Sequence, residues 1–297
     1  MMLTRVSVGK PEAGPATLRR VERSLAKRLW HHPGGRCGLL LAALLGLVAA
    51  LGPLLAPYDP DRPSYAEALR PPSLTHLAGT DATGRDMLSR LIDGAHRTLG
   101  PAVLVVGAVV AIGLAVGIAA ALSGGIADAL AMRTVDIVMT VPGLVLAYAT
   151  LGLIGPGFLS LVVALIISDW AYFARLARSY ALGIRARPYI QVARMAGISP
   201  LRILLTHILP GVAVPLAVVA SIDVGTIVGV ISGFSFLGLG VQPPAAEWGS
   251  MLAESRFYFT IAPWLLIGPA AMIVTAVLTA NLVGTALRDV LDPKATK

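Results

Sequence analysis

YIQVARMAGISPLRILLTHILP (Tyr189–Pro210) is a basic, punctuated segment between two long apolar runs, and its reading orients the whole chain. Arg194 and Arg202 lie inside it, Arg185 and Arg187 lie just before it, and no acidic residue occurs from Tyr172 to Ile222. Short cationic connections between apolar runs stay on the cytoplasmic side of a membrane. Tyr189, Val192, Ala193 and Ala196 recur at i, i+3, i+4 and i+7. That spacing predicts a short helix with one apolar face, and with Gln191 and Arg194 on the other side. Gly197 supplies a left-handed C-terminal cap, and Ser199-Pro200 supply an N-cap and a first-turn proline for a second helix. The segment is thus a capped amphipathic helix displayed on a cytoplasmic loop.

The rest of the chain sets that loop in a bilayer. A sequence of 297 residues that is 56% hydrophobic and 13% charged, with 31 glycines, is no ordinary soluble domain; it reads as an all-α, polytopic helical membrane protein. Six spans are expected at about 38–56, 99–122, 135–155, 158–174, 203–233 and 261–287, with external loops at 57–98 and 234–260 and a cytoplasmic loop at 175–202. Both termini are then cytoplasmic. The net charge of +8 follows this topology: 6 of the 24 Lys and Arg fall in the external loops and 18 fall inside or at the inner membrane edge. Such an asymmetry orients a membrane protein and gives no reason to expect nucleic acid. Cys37 is the one cysteine, so no disulfide forms within the chain.

Residues 1–36 form a basic cytoplasmic segment. Leu18, Val21, Leu25 and Leu29 lie opposite Arg19, Arg20, Arg23 and Lys27, which fits either an interfacial amphipathic helix or a basic tail. The apolar run that follows, Gly38–Ala56, exceeds a signal-peptide core and is read as a retained span. Gly107, Gly113 and Gly117 allow close helix approach in the second span. A tight turn is expected at 123–133, and Gly155-Pro156-Gly157 gives an external one. In the first external loop Gly79-Thr80-Asp81 reads as a turn and Asp86–Ile92 as a short surface helix; His76, one histidine among scattered acids, is weak support for a metal. The second external loop, SFLGLGVQPPAAEWGSMLAESR (Ser235–Arg256), reads physically as a Gly/Pro-rich return with Trp248 at the membrane interface.

Two carboxylates fall inside the spans, where burial costs several kcal/mol unless the group is paired, protonated or facing water. Asp169 lies within two turns of Arg175, which admits a contact at the cytoplasmic edge or with a partner subunit. Asp223 lies toward the middle of the fifth span, facing either a passage or a neighbouring subunit. The chain carries no phosphate-binding Gly-Lys-Ser or Gly-Lys-Thr loop and no nucleophile constellation, so by itself it hydrolyses nothing. A partner would then supply the energy. The alternative is an ion-coupled secondary transporter or channel with Asp169 and Asp223 as its relay, although the six spans show no evident internal repeat.

The Tyr189–Pro210 pattern resembles the cytoplasmic coupling loop of ATP-binding-cassette importer permeases: Glu-Ala-Ala, three residues, Gly, nine residues, then four residues closing in Leu-Pro. Gln191, Val192 and Ala193 stand at the first three positions, Gly197 at the glycine, and His207, Ile208, Leu209 and Pro210 at the end. Gln191 and Val192 depart from the pattern, so no salt bridge from a carboxylate at 191 is implied. Pro71-Pro72-Ser73, Gly79-Thr80-Asp81, Gly84-Arg85-Asp86 and Leu88-Ser89-Arg90 resemble the dipeptide, oligopeptide and nickel branch of these permeases. So do Ser235–Pro244, Glu247-Trp248-Gly249 and Leu291-Asp292-Pro293, and the likeness covers about residues 35–294.

The resemblance implies a type I importer permease fold in a bacterial cytoplasmic membrane, and an importer of di- or oligopeptides, nickel or a metal chelate. It implies a second homologous permease, an extracytoplasmic substrate-binding protein and two cytoplasmic ATPases, which hold the ATP and Mg; this chain then carries no cofactor. The ATPases would seat on Tyr189, Gln191, Val192, Ala193, Arg194 and Gly197, with Arg194 in direct contact. The fifth helix would line the path, with Asp223 favouring a cationic or amine-bearing substrate and with Ser232, Ser235 and Asp169 as further candidates. ATP-driven closure of the ATPases would open the passage outward, and hydrolysis would reset it.

Overall fold

The computed structural model describes residues 27–291, which form helices and turns with no β-strand among them. Helix α1 (Pro33–Leu55) starts where the His32 ring accepts the Gly35 N–H at 3.2 Å, with proline in the first turn where no donor is needed. Residues 27–31 are also helical; the rest of the expected leader helix lies outside the described residues.

Helix α2 (Met87–Ser123) has 37 residues and is N-capped by Asp86, whose carboxylate accepts the Ser89 N–H at 2.8 Å. At 1.5 Å per residue it is about 55 Å long, well beyond the ~30 Å of hydrocarbon that hydropathy marks. This corrects the separate surface helix expected at Asp86–Ile92. Those residues are the cap and first turns of α2, which carries residues 87–98 out of the expected loop. Helix α3 (Gly125–Thr140) replaces the turn expected at 123–133, because Gly124 and Gly125, at φ +64 and +55, complete the reversal in two residues. A second correction falls in the third span. It is broken by an 86° bend between α3 and α4 (Gly143–Ile154). Pro142 forces Val141 into extended backbone (φ −90, ψ 128), so the helix cannot pass through.

Helix α5 (Phe158–Arg185) runs past the expected end at 174. Its inner arginines pair with α3: Arg178 reaches Asp128 through two bonds of 2.6 Å, and Arg175 pairs with Asp136. Arg175 is therefore not the partner of Asp169. Helices α6 (Pro188–Met195) and α7 (Pro200–Ile203) follow, then a π turn at Leu204–Ile208 and α8 (Leu209–Phe236). The π turn, in which the Leu209 N–H returns to the Leu204 carbonyl, stands just before Pro210, which has no N–H to continue the ladder. Helix α9 (Trp248–Ser255) caps the outer end and α10 (Trp264–Leu291) closes the bundle. Among the described residues five helices are long and apolar enough to cross a membrane, and α3 with α4 makes a sixth when taken as one broken span.

The core lies where α2 meets α5, α8 meets α10, and α1 packs on α2 and α10. Two of the three singled-out glycines set the α2–α5 distance. A Cβ on Gly113 would stand 2.5 Å from the Phe173 Cβ, and one on Gly117 would stand 2.3 Å from the Ala174 carbonyl oxygen; Gly107 has nothing within 4 Å. Overpacking a backbone contact costs about 1–3 kcal/mol and sometimes more. Gly117→Leu is thus expected to lower the thermal unfolding midpoint of the detergent-solubilised protein by several degrees. Gly107→Leu should leave it near the parent value.

Candidate coupling surface and translocation face

Eight residues make α6, and three bonds finish it: Ala196 N–H to Val192 O at 2.9 Å, Gly197 N–H to Arg194 O at 3.0 Å and Ile198 N–H to Ala193 O at 3.1 Å. Gly197 sits at φ +76, where a residue with a Cβ is strained. Ser199 N-caps α7 by accepting the Arg202 N–H. The helix docks through Ile190, which has no exposed surface, with Tyr189, Ala193 and Ile198 packed beside it. The Tyr189 ring lies 5.9 Å from that of His207, which ties α6 to the π turn entering α8.

The apolar face expected from Tyr189, Val192, Ala193 and Ala196 is therefore corrected. Val192 is 58% exposed and Ala196 is exposed too, so the free face carries Val192, Arg194 and Met195, the last 80% exposed. Gln191 turns its amide back to the Ala186 carbonyl at 3.4 Å and offers no charge.

Asp223, on α8, lines an open cleft of about 810 Å³ with Tyr172, Tyr180, Pro215, Thr226 and Arg288. Asp169 stands beside Gly143, at the break between α3 and α4, where a Cβ on that glycine would lie 3.6 Å from the Asp169 Oδ1. Among the described residues neither has an ion-pair partner. Ser232 and Ser235 are placed elsewhere. Both are buried, with hydroxyls that find no partner among the described residues. Ser232 lies under α9, where a Cβ on Gly249 would meet its backbone at 2.3 Å, and neither serine lines the cleft.

The outer motifs build an ion-pair lobe that hydropathy could not reveal. Arg85 Nε donates to Asp81 at 2.6 Å and its Nη2 to Glu254 at 3.1 Å, while Arg90 Nη2 reaches Glu254 at 3.4 Å. Burial alone would push the Asp81 carboxyl up, but the Arg85 N–H and guanidinium, Arg90 and Thr83 hold it below the usual carboxylate range. His76 Nδ1 meets Asp86 at 2.9 Å.

The loop expected to carry Trp248 at the interface instead tucks onto α2. Trp248 is fully buried, and its indole N–H donates to the Leu91 carbonyl at 3.0 Å. Glu247 caps α9 by accepting the Gly249 and Ser250 N–H groups at 2.9 Å, and it accepts Thr98 Oγ1–H at 3.1 Å. Burial pushes this carboxyl up, against the pull of those donors. Opposite charges in both external loops were the only sequence signal for the Arg85, Arg90 and Glu254 contact.

Residues 113–297 match the family described as binding-protein-dependent transport system inner membrane component. The chain belongs to that family. Residues 23–72 match the N-terminal transmembrane domain of oligopeptide transport permease C. The nickel transport system permease protein NikC of Escherichia coli (strain K12) is 36% identical over 87% of this chain and 93% of its own. The di/tripeptide transport system permease protein DppC of Pseudomonas aeruginosa (strain UCBPP-PA14) is 38% identical over 94% and 93%. The glutathione transport system permease protein GsiD of Escherichia coli O1:K1 / APEC is 40% identical over 86% and 84%.

A solved structure described as inward facing conformations of the MetNI methionine ABC transporter superposes with a TM-score of 0.55. It is 22% identical, covers 69% of this chain and 98% of its own, and so attests the fold alone. This permease is therefore a membrane-spanning transport subunit of the same family as those relatives, which are transport system permease proteins. The carboxylate-relay transporter is set aside.

Proposed function

We propose that this permease forms half of the translocation path of an ATP-driven importer for di- or oligopeptides, nickel or a metal chelate, paired with a second permease. Two cytoplasmic ATPases hold the ATP and Mg, and an extracytoplasmic binding protein delivers substrate. The observation that carries the reading is the free face of α6. A capped helix with Ile190 sealed inside presents Val192 and Met195 outward, in a chain with no hydrolytic machinery of its own. Apolar side chains held out from a rigid anchor are what a partner groove requires. Motion of α6 passes to α8 through Tyr189 and His207, and α8 carries Asp223.

The binding protein would meet the outer lobe, where Tyr65, Leu74 and Leu77 stand exposed. Both termini lie in the cytoplasm, by the charge asymmetry of the loops. Copurification from the native host tests the assembly. A second permease and one or two ATPases are the expected partners of the tagged chain, and recovery alone or as a homo-oligomer would contradict it.

Asp223, open to the cleft and with no ion-pair partner among the described residues, favours a cationic or amine-bearing substrate. Losing one such charge pair at about 1.4 kcal/mol is a tenfold effect. Asp223→Asn should accordingly slow uptake of an amine-bearing substrate about tenfold at unchanged membrane abundance. Unchanged rate and preference would remove Asp223 from the path.

A further inference from the structure

The six arginines of the 175–202 segment divide into two classes. On α5, Arg175 and Arg178 are neutralised by Asp136 and Asp128 of α3. Arg185, Arg187, Arg194 and Arg202 have no carboxylate within ion-pair distance among the described residues. Two of these four, Arg185 and Arg194, line one cleft of about 360 Å³ whose other walls are Leu122, Pro200, Ile203 and Ile208. Arg185 is held in place because its Nη1 donates to the Ala121 and Leu122 carbonyls at the C-terminal end of α2, where the helix dipole favours a cation. Its remaining donors find no partner among the described residues. Through Arg194 the cleft adjoins the free face of α6, where the neutral Gln191, bonded to the Ala186 carbonyl, supplies no charge of its own.

We propose that this cleft takes a carboxylate side chain of the ATPase, so that the charge across the contact runs from permease cation to ATPase anion. The inference rests on the coupling role proposed above and adds the sign and place of the ion pair. The anchored Arg185 guanidinium and the exposed Arg194 guanidinium beside apolar walls suit a carboxylate on a short methylene stem, because the walls take the stem while the forks take the oxygens. An ATPase source is favoured over a lipid phosphate because Arg194 both lines the cleft and belongs to the exposed α6 face that carries Val192 and Met195.

The test uses the intact copurified complex. In Arg194→Lys a zero-length carbodiimide can join position 194 to a touching carboxylate, which it cannot do with the parent guanidinium. The expected product is an amide between position 194 and an Asp or Glu of the ATPase, located by peptide mass spectrometry. Arg194→Glu should weaken ATPase retention about tenfold at low salt, and the parent complex should loosen at about 1 M salt, where the Debye length is about 3 Å.

The proposal is overturned if position 194 joins a serine phospholipid or a terminal acid of this chain. It is equally overturned if no product forms in a complex that keeps the ATPase, or if Arg194→Glu holds the ATPase as the parent does. A parent chain that recovers no ATPase at any salt would overturn the coupling role itself, and this inference with it.

Discussion

Gly197→Val is expected to reduce ATP-coupled uptake by more than tenfold while the protein still reaches the membrane in parental amounts. Gly197 sits at φ +76, where a β-branched side chain is a strong outlier and a Cβ costs about 1–2 kcal/mol. Nothing lies within 4 Å of the Cβ it would gain, so the loss comes from the backbone and not from crowding. When residue 197 leaves the left-handed region, the bonds from Gly197 and Ile198 N–H to the Arg194 and Ala193 carbonyls break, and α6 frays. Val192 and Met195 then lose their fixed placement while Ile190 stays buried. Asn, which tolerates this region better than other non-glycine residues, should be the mildest replacement. Normal uptake by Gly197→Val, measured in whole cells against immunoblotted membrane levels, would separate the cap from coupling.

Arg90→Ala should destabilise the outer lobe by about 3 kcal/mol, because it leaves the buried Asp81 and the partly exposed Glu254 short of a partner. Arg90 is 1% exposed and holds Glu254 at 3.4 Å, Asp81 at 3.6 Å and the Pro60 and Pro244 carbonyls at 3.3 Å each. Without it the two acids share Arg85 alone. The pH dependence follows from Asp81, whose folded carboxyl is held below its ordinary value. A depressed carboxyl stabilises the fold at neutral pH, and the contribution is lost as pH falls below about 4, through the ordinary value and then the folded one. Removing Arg90 weakens that depression, so acid-induced loss of the lobe should begin at higher pH in the variant. Limited proteolysis of 57–86 across a pH series reads both effects. A variant with parental protection at pH 7 would show that Arg85 suffices.

The caps of the coupling helix were legible because each is a local rule: Gly197 ends it and Ser199-Pro200 start the next. Its buried face was not. Tyr189, Ile190, Val192, Ala193, Met195 and Ala196 are all apolar, so the helical period alone admits two faces, and only the docking partner selects Ile190 over Val192. Hydropathy located the membrane but not the helix ends, because it marks hydrocarbon, while α2 and α5 continue beyond it on caps and ion pairs.

Pro142 was visible inside its span, yet the 86° break depends on the extended Val141 before it. The inward turn of Trp248 requires Thr98 and Leu91, about 150 residues away in sequence, and no local pattern signals such a contact. Family likeness marked that loop without giving its geometry. Ser232 and Ser235 were assigned to the passage from their place on the fifth helix, but the face they occupy is set by α9 packing on α8.

The central claim is that this permease moves substrate only when ATPases act on α6. Its most direct test is uptake into proteoliposomes holding the copurified complex, with the binding protein and labelled peptide or nickel outside and ATP inside. Uptake that requires internal ATP and the binding protein, and that falls away in Gly197→Val, is the predicted result. Uptake driven by a proton or sodium gradient without ATP, and undisturbed by Gly197→Val, would contradict the account.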